Sequence, residues 1–501
     1  MLAVIGIGIF FAKRANKDAE SYFLGGRSLG PWVTAFSAEA SDMSGYLLMG
    51  IPGLAYWTGI ADAGWTCIGL ALGTYLNFLI VSKRLRRYSI AVDAFTVPDF
   101  FSNRFHEKKK IIMSISALII IIFFSVYAAQ CLSSCGKLFA NLFGLSYQSM
   151  MIVAAVFVLV YTFLGGFLAE SASDFMQAVV MITVLIMLMI LLVVHAGGMG
   201  AVIANAKSYD GFFSLTSSAT PSSTEINVFG VKNDYSVLTI VSYLAWGLGY
   251  FGMPQVLLRF MGIRSESELG RSRRVAIIWV MISMAAAVFI GIAARSVAGL
   301  DYLSNSDAEN VFIDAATSFL PPILAGFACA GILAAAISSS DSYLLISASA
   351  VSQNIYRGIL KKDATEKQVM WCSRITLVAI TLIAMAIAWN SNSTIFGITS
   401  FAWAGFGAAF GPLMLLSLFW KRTTYPGAIA GMIVGGAMVF IWNLFIKPLG
   451  GIFGIYELLP AFIASLIAIV IVSLCTPKPS REIQDEFDRV KNGQVDAKLQ
   501  G

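Results

Sequence analysis

Long apolar segments separated by short polar stretches recur along almost the whole chain. Each is about 20 residues long, which is the length that an α-helix needs to cross a hydrocarbon core of roughly 30 Å. Helices are favoured over a β-barrel because barrel strands would be about half as long. The thirteen predicted spans are 1–12, 30–55, 60–82, 111–137, 147–168, 173–197, 236–258, 274–297, 318–352, 368–389, 394–419, 424–445 and 452–475.

The first segment, 1–12, is the weakest of these predictions. As a helix it covers only about 18 Å, which is too short to cross a membrane. It also lacks the basic region and the small-residue cleavage site of a signal peptide before Lys13. We expect either a start further upstream or a shortened leading helix.

The composition agrees with an integral membrane protein. Of the 501 residues, 58% are hydrophobic and only 12% are charged, and the mean hydropathy is +0.78. If the amino terminus is outside, the predicted cytoplasmic loops, including 83–110 and 259–274, and the carboxy-terminal tail together hold 29 of the 34 Lys and Arg residues. This asymmetry predicts a cytoplasmic tail. It also explains the net charge of +6 without a nucleic-acid partner.

The same pattern predicts one membrane domain and a short tail. No loop between the apolar segments is long enough for a soluble domain, so residues 1–475 are assigned to membrane transport. The tail, 476–501, is polar and mixed in sign, and we expect it to be mobile. Function must therefore lie among the helices.

Two predicted spans contain residues that interrupt helices. The stretch "SAEASDMSGYLLMG" at 37–50 places serine and aspartate oxygens, which compete with helical backbone bonds, beside a glycine. The stretch "SYLAWGLGYFGMPQ" at 242–255 has four glycines and prolines within eight residues. We predict breaks near 40–46 and 246–254.

The positions of these breaks indicate a class of protein. If the short leading segment is set aside, they fall in helices one and six of a set that divides as five plus five. Interrupted helices at corresponding places in two halves are typical of inverted-repeat secondary transporters, whose site lies between the breaks. The alternative is a pair of kinked helices that small residues allow to pack closely.

The ninth span supplies oxygens that would suit a cation near the first break. In "GILAAAISSSDSYLL" one helical face carries an alanine and three serines, namely Ala335, Ser338, Ser339 and Ser342. The hydroxyls of Ser338 and Ser339 and the Ala335 carbonyl could surround a hard cation such as sodium. Carbonyls near Ala40 and Met43 could complete the site. Alternatively, the serines bond only the carbonyls of their own helix.

Two further acidic residues lie in or beside apolar segments, Asp174 and Asp341. Carboxylates at membrane depth are costly and indicate functional sites. Together with Ser338 and Ser342 they could form a second, inner polar cluster. The alternative for Asp174 is structural, because Ser173 or Asp174 could cap the start of the predicted helix at 173–197.

Several stretches together resemble the sodium:solute symporter family, and within it the proline-transporting branch. They are "YFLGGRSLGP", "ASDMSG", "AWGLGYFGMPQVLLRFM", "GFACAGILAAAISSSDS" and "FAWAGFGAAFGP", and the match runs in order from about Tyr22 to the last helix. The resemblance implies an all-α membrane protein with a leucine-transporter-like five-plus-five inverted repeat, one extra leading helix and two trailing helices.

The resemblance also implies roles for individual residues. The implied sodium ligands are Ala40, Met43, Ala335, Ser338 and Ser339. Asp42 matches an aspartate needed for sodium dependence. The implied substrate-binding residues are Ser44, Gly45, Tyr46, Tyr127, Trp246 and Tyr250. Arg27, in "GGRS", matches a gating charge. Without the resemblance, the aromatic residues would be interpreted as packing and Arg27 as a positive-inside anchor.

Four positions depart from the proline-transporting branch. Tyr46 replaces a tryptophan, Ser339 a threonine, Asp341 a serine and Glu39 a glycine. We expect the hydroxyl of Tyr46 to alter substrate preference. Asp341, with Asp174 and Ser342, could hold a second cation or carry a proton.

The sequence therefore predicts sodium-coupled uptake of L-proline across a bacterial cytoplasmic (inner) membrane, with membrane lipid around the helices. Sodium is the coupling ion, and no cofactor or enzymatic activity is expected, because no His or Cys stands beside a suitable nucleophile or metal set. One alternative is another small solute, such as a sugar, sialic acid or pantothenate. The other is a membrane sensor that acts through a partner, since the tail has no room for a kinase.

Overall fold

The structure is a computed structural model that describes residues 24–163, 167–219 and 221–494. Within this part of the chain, nine helices are long and apolar enough to cross a membrane, or ten if one bent pair counts as a span. Two further predicted spans, 30–55 and 147–168, correspond to shorter helical pieces. The predicted leading segment, 1–12, lies outside the described residues, so a total of thirteen remains a prediction.

The helices are numbered α1 to α20 in chain order. Their bounds are α1 Pro31–Asp42, α2 Ile51–Thr58, α3 Ile60–Leu76, α4 Ser82–Ala91, α5 Val97–Arg104, α6 Ile111–Phe143, α7 Tyr147–Thr162, α8 Phe167–His195, α9 Met199–Ser208, α10 Val237–Leu244, α11 Pro254–Gly262, α12 Leu269–Ala294, α13 Asn305–Ala308, α14 Val311–Phe319, α15 Pro322–Ser349, α16 Glu366–Ile387, α17 Ile395–Phe419, α18 Tyr425–Ile441, α19 Leu458–Cys475 and α20 Arg481–Lys491. A two-residue pair, β1 Ser217–Ser218 with β2 Asn233–Asp234, is antiparallel and pairs Ser217 with Asp234.

The first membrane helix of the described residues is interrupted between α1 and α2. α1 ends at Asp42, and helical geometry resumes with a π-helical turn at Tyr46–Gly50 that leads into α2. At the interruption, the Ser44 N–H donates to the Asp42 carbonyl at 3.0 Å. In a continuous helix that N–H would bond the Ala40 carbonyl. The interruption therefore releases the Ala40 oxygen for another partner.

The other interruption separates α10 from α11. A 3₁₀ segment, Ala245–Phe251, follows α10, and the helix axis bends by 44° before α11 begins at Pro254. Gly249 is required there, because a Cβ at this position would overlap the indole nitrogen of Trp403. Pro254 lacks a backbone N–H, so a helix tolerates it only in the first turn, which is where it lies in α11. Both interruptions lie within the stretches that the sequence marks as helix-breaking.

The helix that ends at the first interruption, α1, is surrounded by four other helices. α1 packs against α8, α11, α12 and α15. Every residue of α15 from Ala334 to Ser349 is buried, including its serines. The polar residues of the first break and of α15 thus face each other inside the protein, away from the lipid-facing surface.

The boundary between α7 and α8 differs from the prediction. α8 is described from Phe167, so Asp174 and Ser173 lie well inside the helix and the predicted capping role is wrong. The sequence suggested a loop because Glu170 and the serines after it interrupt an apolar pattern. In the structure these polar side chains face the interior, where Arg259 forms an ion pair with Glu170.

Arg259 itself differs from its predicted place. The sequence assigns it to the cytoplasmic loop 259–274, but it belongs to α11 and its side chain is fully buried. We call the end of the bundle that carries loop 83–110 the inner end, after the predicted topology. Because Arg259 lies inside the bundle, it cannot be one of the surface positive charges that the sequence analysis counted.

The carboxy-terminal tail is also more ordered than predicted. Residues of α20 with the spacing of one helical face, Ile483, Phe487 and Val490, are buried against the bundle. The Phe487 ring lies 4.9 Å from the guanidinium carbon of Arg84 on α4. The expectation of a mobile tail is therefore wrong for this helix, because its polar composition conceals an amphipathic pattern.

Candidate functional site

A cluster of neutral oxygens lies where α1 ends beside α15. The Ser338 hydroxyl is 2.9 Å from the Ala40 carbonyl oxygen and 3.1 Å from the Ala335 carbonyl oxygen. The Ser339 hydroxyl is 3.3 Å from the same Ala40 oxygen. All four residues are fully buried. The structure therefore brings together four of the five residues that the resemblance implies as sodium ligands.

The fifth, Met43, is the first residue beyond α1. Its N–H still bonds the Glu39 carbonyl at 2.7 Å, so the last turn of the helix is intact up to this point. The cluster offers two carbonyl oxygens and two hydroxyl oxygens, none of which carries a formal charge. Such oxygens are the usual ligands of hard cations. The Ser44 N–H bonds the Asp42 carbonyl, so the Ala40 carbonyl accepts from the two serine hydroxyls of α15 instead.

Asp42 connects the two interrupted helices. The Tyr250 hydroxyl donates to Asp42 Oδ2 at 2.9 Å, and the Gln255 amide donates to Asp42 Oδ1 at 3.5 Å. All three side chains are fully buried. Gln255 was not predicted from the sequence, although its position directly after the helix-breaking proline could have suggested it. The carboxylate thus couples the end of α1 to both sides of the second break.

Ser44 and Gly45 pack against polar residues of α6. The Ser44 hydroxyl donates to Gln130 Oε1 at 2.7 Å, and Gln130 Nε2 donates to the Ser134 hydroxyl at 2.9 Å. A Cβ on Gly45 would overlap that hydroxyl, so only glycine fits. Sequence reasoning missed Gln130 and Ser134. The polar run "QCLSSC" at 130–135, inside a long apolar span, could have indicated that these side chains face the interior.

Three of the predicted substrate-binding aromatic residues lie near one another. The ring centroids of Tyr46 and Trp246 are 6.5 Å apart, and the rings are stacked. Trp246 also stacks on Tyr456 at 5.0 Å. Tyr250 meets Trp403 edge-on at 5.0 Å, and the Trp403 indole N–H donates to the Trp246 carbonyl at 2.7 Å. Trp403 and Tyr456 were not predicted.

Tyr127 approaches from α6. Its ring centroid is 4.6 Å from that of Tyr343 on α15. Its hydroxyl is buried and has no hydrogen-bond partner among the residues that the structure describes. An unpaired buried hydroxyl can bond a ligand at little cost, whereas leaving it unpaired is unfavourable. The aromatic residues and this hydroxyl together resemble the lining of a small-molecule site.

A cavity of about 610 Å³ opens at the outer end and reaches this aromatic group. Trp246, Phe396 and Tyr456 are among the residues that line it, as is Asp62. Asp62 is buried, and its Oδ1 has no hydrogen-bond partner among the described residues. The cavity therefore leads from the outer surface to the aromatic residues at the second break.

An ion pair stands beside this outer region. Lys137 Nζ of α6 is 2.7 Å from Glu309 Oε2, and both side chains are buried. Glu309 also accepts the N–H groups of Ile395 and Phe396 at the start of α17, at 2.8 and 3.0 Å. Burial raises the pKa of the Glu309 carboxyl, while Lys137 and these N–H groups act in the opposite direction. Glu309 thus fastens α17 to α6 at the outer end.

At the inner end, hydrogen bonds join the segment before α1 to neighbouring parts of the bundle. Arg27 donates to the Ser89 hydroxyl at 3.0 Å, to the Met261 carbonyl at 2.9 Å and to the Ala94 carbonyl at 2.8 Å. Leu29 and Ile263 form a parallel β-bridge next to it. The segment before α1 is therefore tied to the end of α11 and to loop 83–110.

The predicted inner cluster is only partly brought together. Asp174 Oδ2 and the Ser342 hydroxyl both contact Arg259 Nη2, at 3.2 and 3.0 Å. Asp341 instead accepts a hydrogen bond from Thr162 on α7 at 3.0 Å. The sequence did not predict that Arg259 would join Asp174 to Ser342. A single positive charge at the end of an apolar run is indistinguishable from a membrane anchor in sequence.

Comparisons with known proteins agree with this architecture. The model of the sodium:solute symporter family matches residues 22–435. The "Sodium/proline symporter" of Staphylococcus aureus (strain USA300 / TCH1516) is 39% identical over 498 residues, covering 98% of this chain and 94% of that protein. The same-named protein of strain JH9 is equally similar.

Two solved structures are similar in fold. A sodium-coupled sialic acid symporter in a substrate-bound outward-open state has a TM-score of 0.76 at 19% identity, and the match covers 96% of this chain and 97% of that one. Mhp1, described as a nucleobase-cation-symport-1 family transporter, has a TM-score of 0.56 at 12% identity, with 94% and 99% covered. The chain therefore has the leucine-transporter-like fold that the sequence predicts.

Proposed function

The chain belongs to the sodium:solute symporter family, and from this premise we propose that it couples the entry of sodium to the uptake of L-proline. The substrate rests on the 39% identical sodium/proline symporters. The membrane is a bacterial cytoplasmic membrane, residues 1–475 form the transport domain, and the tail 476–501 lies in the cytoplasm. No covalent chemistry is involved.

One observation carries the proposal: the hydroxyls of Ser338 and Ser339 converge on the Ala40 carbonyl that the helix interruption releases. This arrangement supports sodium binding by Ala40, Ala335, Ser338 and Ser339, with Met43 completing the set. A cation bound there would hold α1 against α15. Asp42 accepts a hydrogen bond from Tyr250 on the other interrupted helix. Fixing the end of α1 would therefore also fix Tyr250 in the substrate pocket.

The substrate pocket lies between the two breaks. Tyr46, Trp246 and Tyr250 supply aromatic faces for the apolar ring of proline, with Tyr127 on the side of α6. The backbone N–H groups at the start of the second half-helix, after Gly45, suit its carboxylate. Ser44 is held by Gln130 and fixes the edge of this pocket. Sodium and substrate would therefore order the same segment of the chain.

Alternating access follows from the two ends of the bundle. The outer cavity reaches Trp246, while Arg27 and the Leu29–Ile263 bridge close the inner end. Inward opening must break the Arg27 hydrogen bonds and separate α1 from α11. A tenfold sodium gradient contributes about 1.4 kcal/mol and a potential of 100 mV about 2.3 kcal/mol per charge. One sodium can therefore drive substantial accumulation.

A ligand panel tests the choice of substrate. The purified full chain is heated with and without sodium in the presence of L-proline, sialic acid, galactose or pantothenate, and its melting temperature is recorded. We expect a sodium-dependent increase with L-proline alone, because a ligand that binds only the folded state stabilises it. A sodium-dependent increase with another solute, and none with L-proline, would transfer the proposal to that solute.

A further inference from the structure

Two neighbouring tyrosines, Tyr127 on α6 and Tyr343 on α15, have hydroxyls without a hydrogen-bond partner among the residues that the structure describes. Both side chains are fully buried. Their ring centroids are 4.6 Å apart, so the two side chains are in contact. Tyr343 was not predicted from the sequence as a substrate-binding residue.

Other buried tyrosines around the second interruption are paired. The Tyr250 hydroxyl donates to Asp42 at 2.9 Å, and the Tyr456 hydroxyl donates to the Ser400 carbonyl at 2.7 Å. A buried tyrosine hydroxyl usually finds such a partner, because leaving it unpaired is unfavourable. The two unpaired hydroxyls of α6 and α15 are therefore suited to a ligand that brings its own hydrogen-bonding group.

Both tyrosines lie on helix faces that meet the first interruption. Tyr127 precedes Gln130 by three residues in α6, and Gln130 accepts a hydrogen bond from Ser44 at 2.7 Å. Tyr343 follows Ser339 by four residues in α15, and the Ser339 hydroxyl bonds the end of α1 at 3.3 Å. Residues three or four apart share a face of a helix. The two tyrosines thus approach the proposed substrate pocket from two different helices.

Packing holds the ring of Tyr343 without any help from its hydroxyl. The ring stacks on Phe124 of α6, with centroids 5.0 Å apart and 18° between the ring planes. Phe124 in turn contacts Phe406 of α17, with centroids 4.4 Å apart. A phenylalanine in place of Tyr343 would keep these contacts. The hydroxyl is therefore available for recognition of a ligand.

The unsubstituted ring of L-proline offers these hydroxyls no partner. In the proposed pocket the carboxylate of the substrate lies at the backbone N–H groups after Gly45, and its ring lies against aromatic faces. The ring carbons beyond the carboxylate carry only hydrogen. A hydroxyl on such a carbon both donates and accepts. It could therefore bond the hydroxyls of Tyr127 and Tyr343 at the same time.

We propose that the hydroxyls of Tyr127 and Tyr343 bind a hydroxyl group on the substrate ring, so that the pocket favours 4-hydroxy-L-proline over L-proline. The inference rests on the proposed sodium-coupled uptake and deepens it by naming hydroxylated imino acids as the preferred substrate class. Tyr343 is the residue that determines this specificity. A site built to bond a substrate hydroxyl discriminates against the analogue that lacks it, because its own polar groups are then left unpaired.

Calorimetric titration of the purified full chain, with sodium present, tests the preference. The ligands are L-proline, cis- and trans-4-hydroxy-L-proline, and the two matching 4-methyl-L-prolines. We expect one hydroxy epimer to bind about tenfold tighter than L-proline, and its methyl counterpart to bind more weakly than L-proline, because it fills the same space without a hydrogen bond.

The other results of this titration separate the two proposals. Sodium-dependent binding of L-proline without a preference for either hydroxy epimer would overturn the specificity and leave the proposed function intact. Equal affinities of a hydroxy epimer and its methyl counterpart would overturn it as well, since size alone would explain them. No binding of any of the five ligands would contradict the proposed function together with its extension.

The Tyr343→Phe variant assigns the preference to one hydroxyl. We expect the ratio of the L-proline to the hydroxyproline dissociation constant to fall about tenfold, because only hydroxyproline loses a partner. An unchanged ratio would overturn the proposal. An equal loss of affinity for both ligands would also overturn it, since Tyr343 would then bond the carboxylate or amine that they share. Tyr147→Phe is the matched control, because its hydroxyl donates to the Ala388 carbonyl at 2.8 Å, and the ratio should stay unchanged.

Transport by the natural chain keeps the proposal testable if Tyr343→Phe does not fold. Uptake of labelled L-proline and labelled 4-hydroxy-L-proline into liposomes is measured under the same inward sodium gradient. We expect kcat/KM to be about tenfold higher for the preferred hydroxy epimer. Equal or lower values for both epimers would overturn the specificity, even with sodium-driven L-proline uptake intact.

Discussion

The hydroxyl of Ser338 on α15 lies 2.9 Å from the carbonyl oxygen of Ala40 at the end of α1. These residues are 298 positions apart in the chain, and they meet because α1 stops at Asp42. The contact joins the interrupted helix, α1, to the uninterrupted helix α15. An ion bound at this point would stabilise one arrangement of the two helices, which is the requirement for coupling ion binding to substrate binding.

Removing the Ser338 hydroxyl should weaken sodium binding specifically. We expect Ser338→Ala to lower the sodium affinity about tenfold, corresponding to about 1.4 kcal/mol, because one of few oxygen donors is lost. Sodium dependence of L-proline binding measures this effect. Ser340→Ala is the matched control, since its hydroxyl bonds the Ile337 carbonyl of its own helix. Equal effects of both substitutions would contradict the assigned site.

Gly249 tests the aromatic wall of the substrate pocket. A Cβ at this position would overlap Trp403 Nε1, which donates to the Trp246 carbonyl. We expect Gly249→Ala to cost about 1–3 kcal/mol through overpacking and to lower substrate affinity more than sodium affinity. Calorimetric binding of both ligands separates the two effects. In the control Gly436→Ala, a Cβ would meet no atom within 4 Å, so binding should not change.

Arg27 should control the inner end. Its hydrogen bonds to Ser89, Met261 and Ala94 hold that end closed. Loss of about 1.4 kcal/mol from these bonds would raise the open population about tenfold. We expect Arg27→Ala to increase the alkylation rate of a cysteine placed at Leu258, in a chain whose six native cysteines are replaced. Leu258 is buried and, with Thr96 and Val97 of loop 83–110, lines a small cavity of about 10 Å³.

Arg264→Ala is the matched control for that experiment. Arg264 lies at the same end of the protein, but its side chain is 58% exposed and its partner Glu268 lies on the next turn of the chain. Exposed ion pairs contribute about 0–1 kcal/mol. An equal increase in alkylation after Arg264→Ala would indicate general loosening of the loops, and the gating role of Arg27 would be wrong.

The outer ion pair should matter for stability. Glu309→Gln leaves the Lys137 ammonium buried without its carboxylate, a change that typically costs about 3–5 kcal/mol. We expect a clearly lower melting temperature and a weaker attachment of α17 to α6. Glu225→Gln, in the exposed outer loop, should leave the melting temperature unchanged. A melting temperature equal to that of the natural chain after Glu309→Gln would contradict a fastening role for this pair.

Much of the fold could be predicted because membrane helices impose simple rules. A run of about 20 apolar residues can only be a span, and irregular backbone inside a span must face protein or water. The serines at 41 and 44 with Gly45, and the glycines before Pro254, therefore locate both interruptions. The spacing of Ser338 and Ser339 places their hydroxyls on the inward face of α15, where they meet Ala40.

The rest could not be predicted because it depends on partners distant in sequence. Arg259 could equally have been a surface anchor, and only the placement of Glu170 and Asp174 beside it reveals a buried ion pair. Gln130 could be identified as a partner of Ser44 only once α6 was placed. The docking of α20 depends on contacts with α4 that its polar composition conceals.

The most direct measurement is the uptake of labelled L-proline into liposomes that contain the full chain, under an inward sodium gradient and, separately, an inward potassium gradient. We expect accumulation with sodium alone. Asp42→Asn should abolish it, because the carboxylate that accepts from Tyr250 and Gln255 is lost. Absence of sodium-driven uptake in the folded, correctly inserted natural chain would contradict the account, as would undiminished uptake in Asp42→Asn.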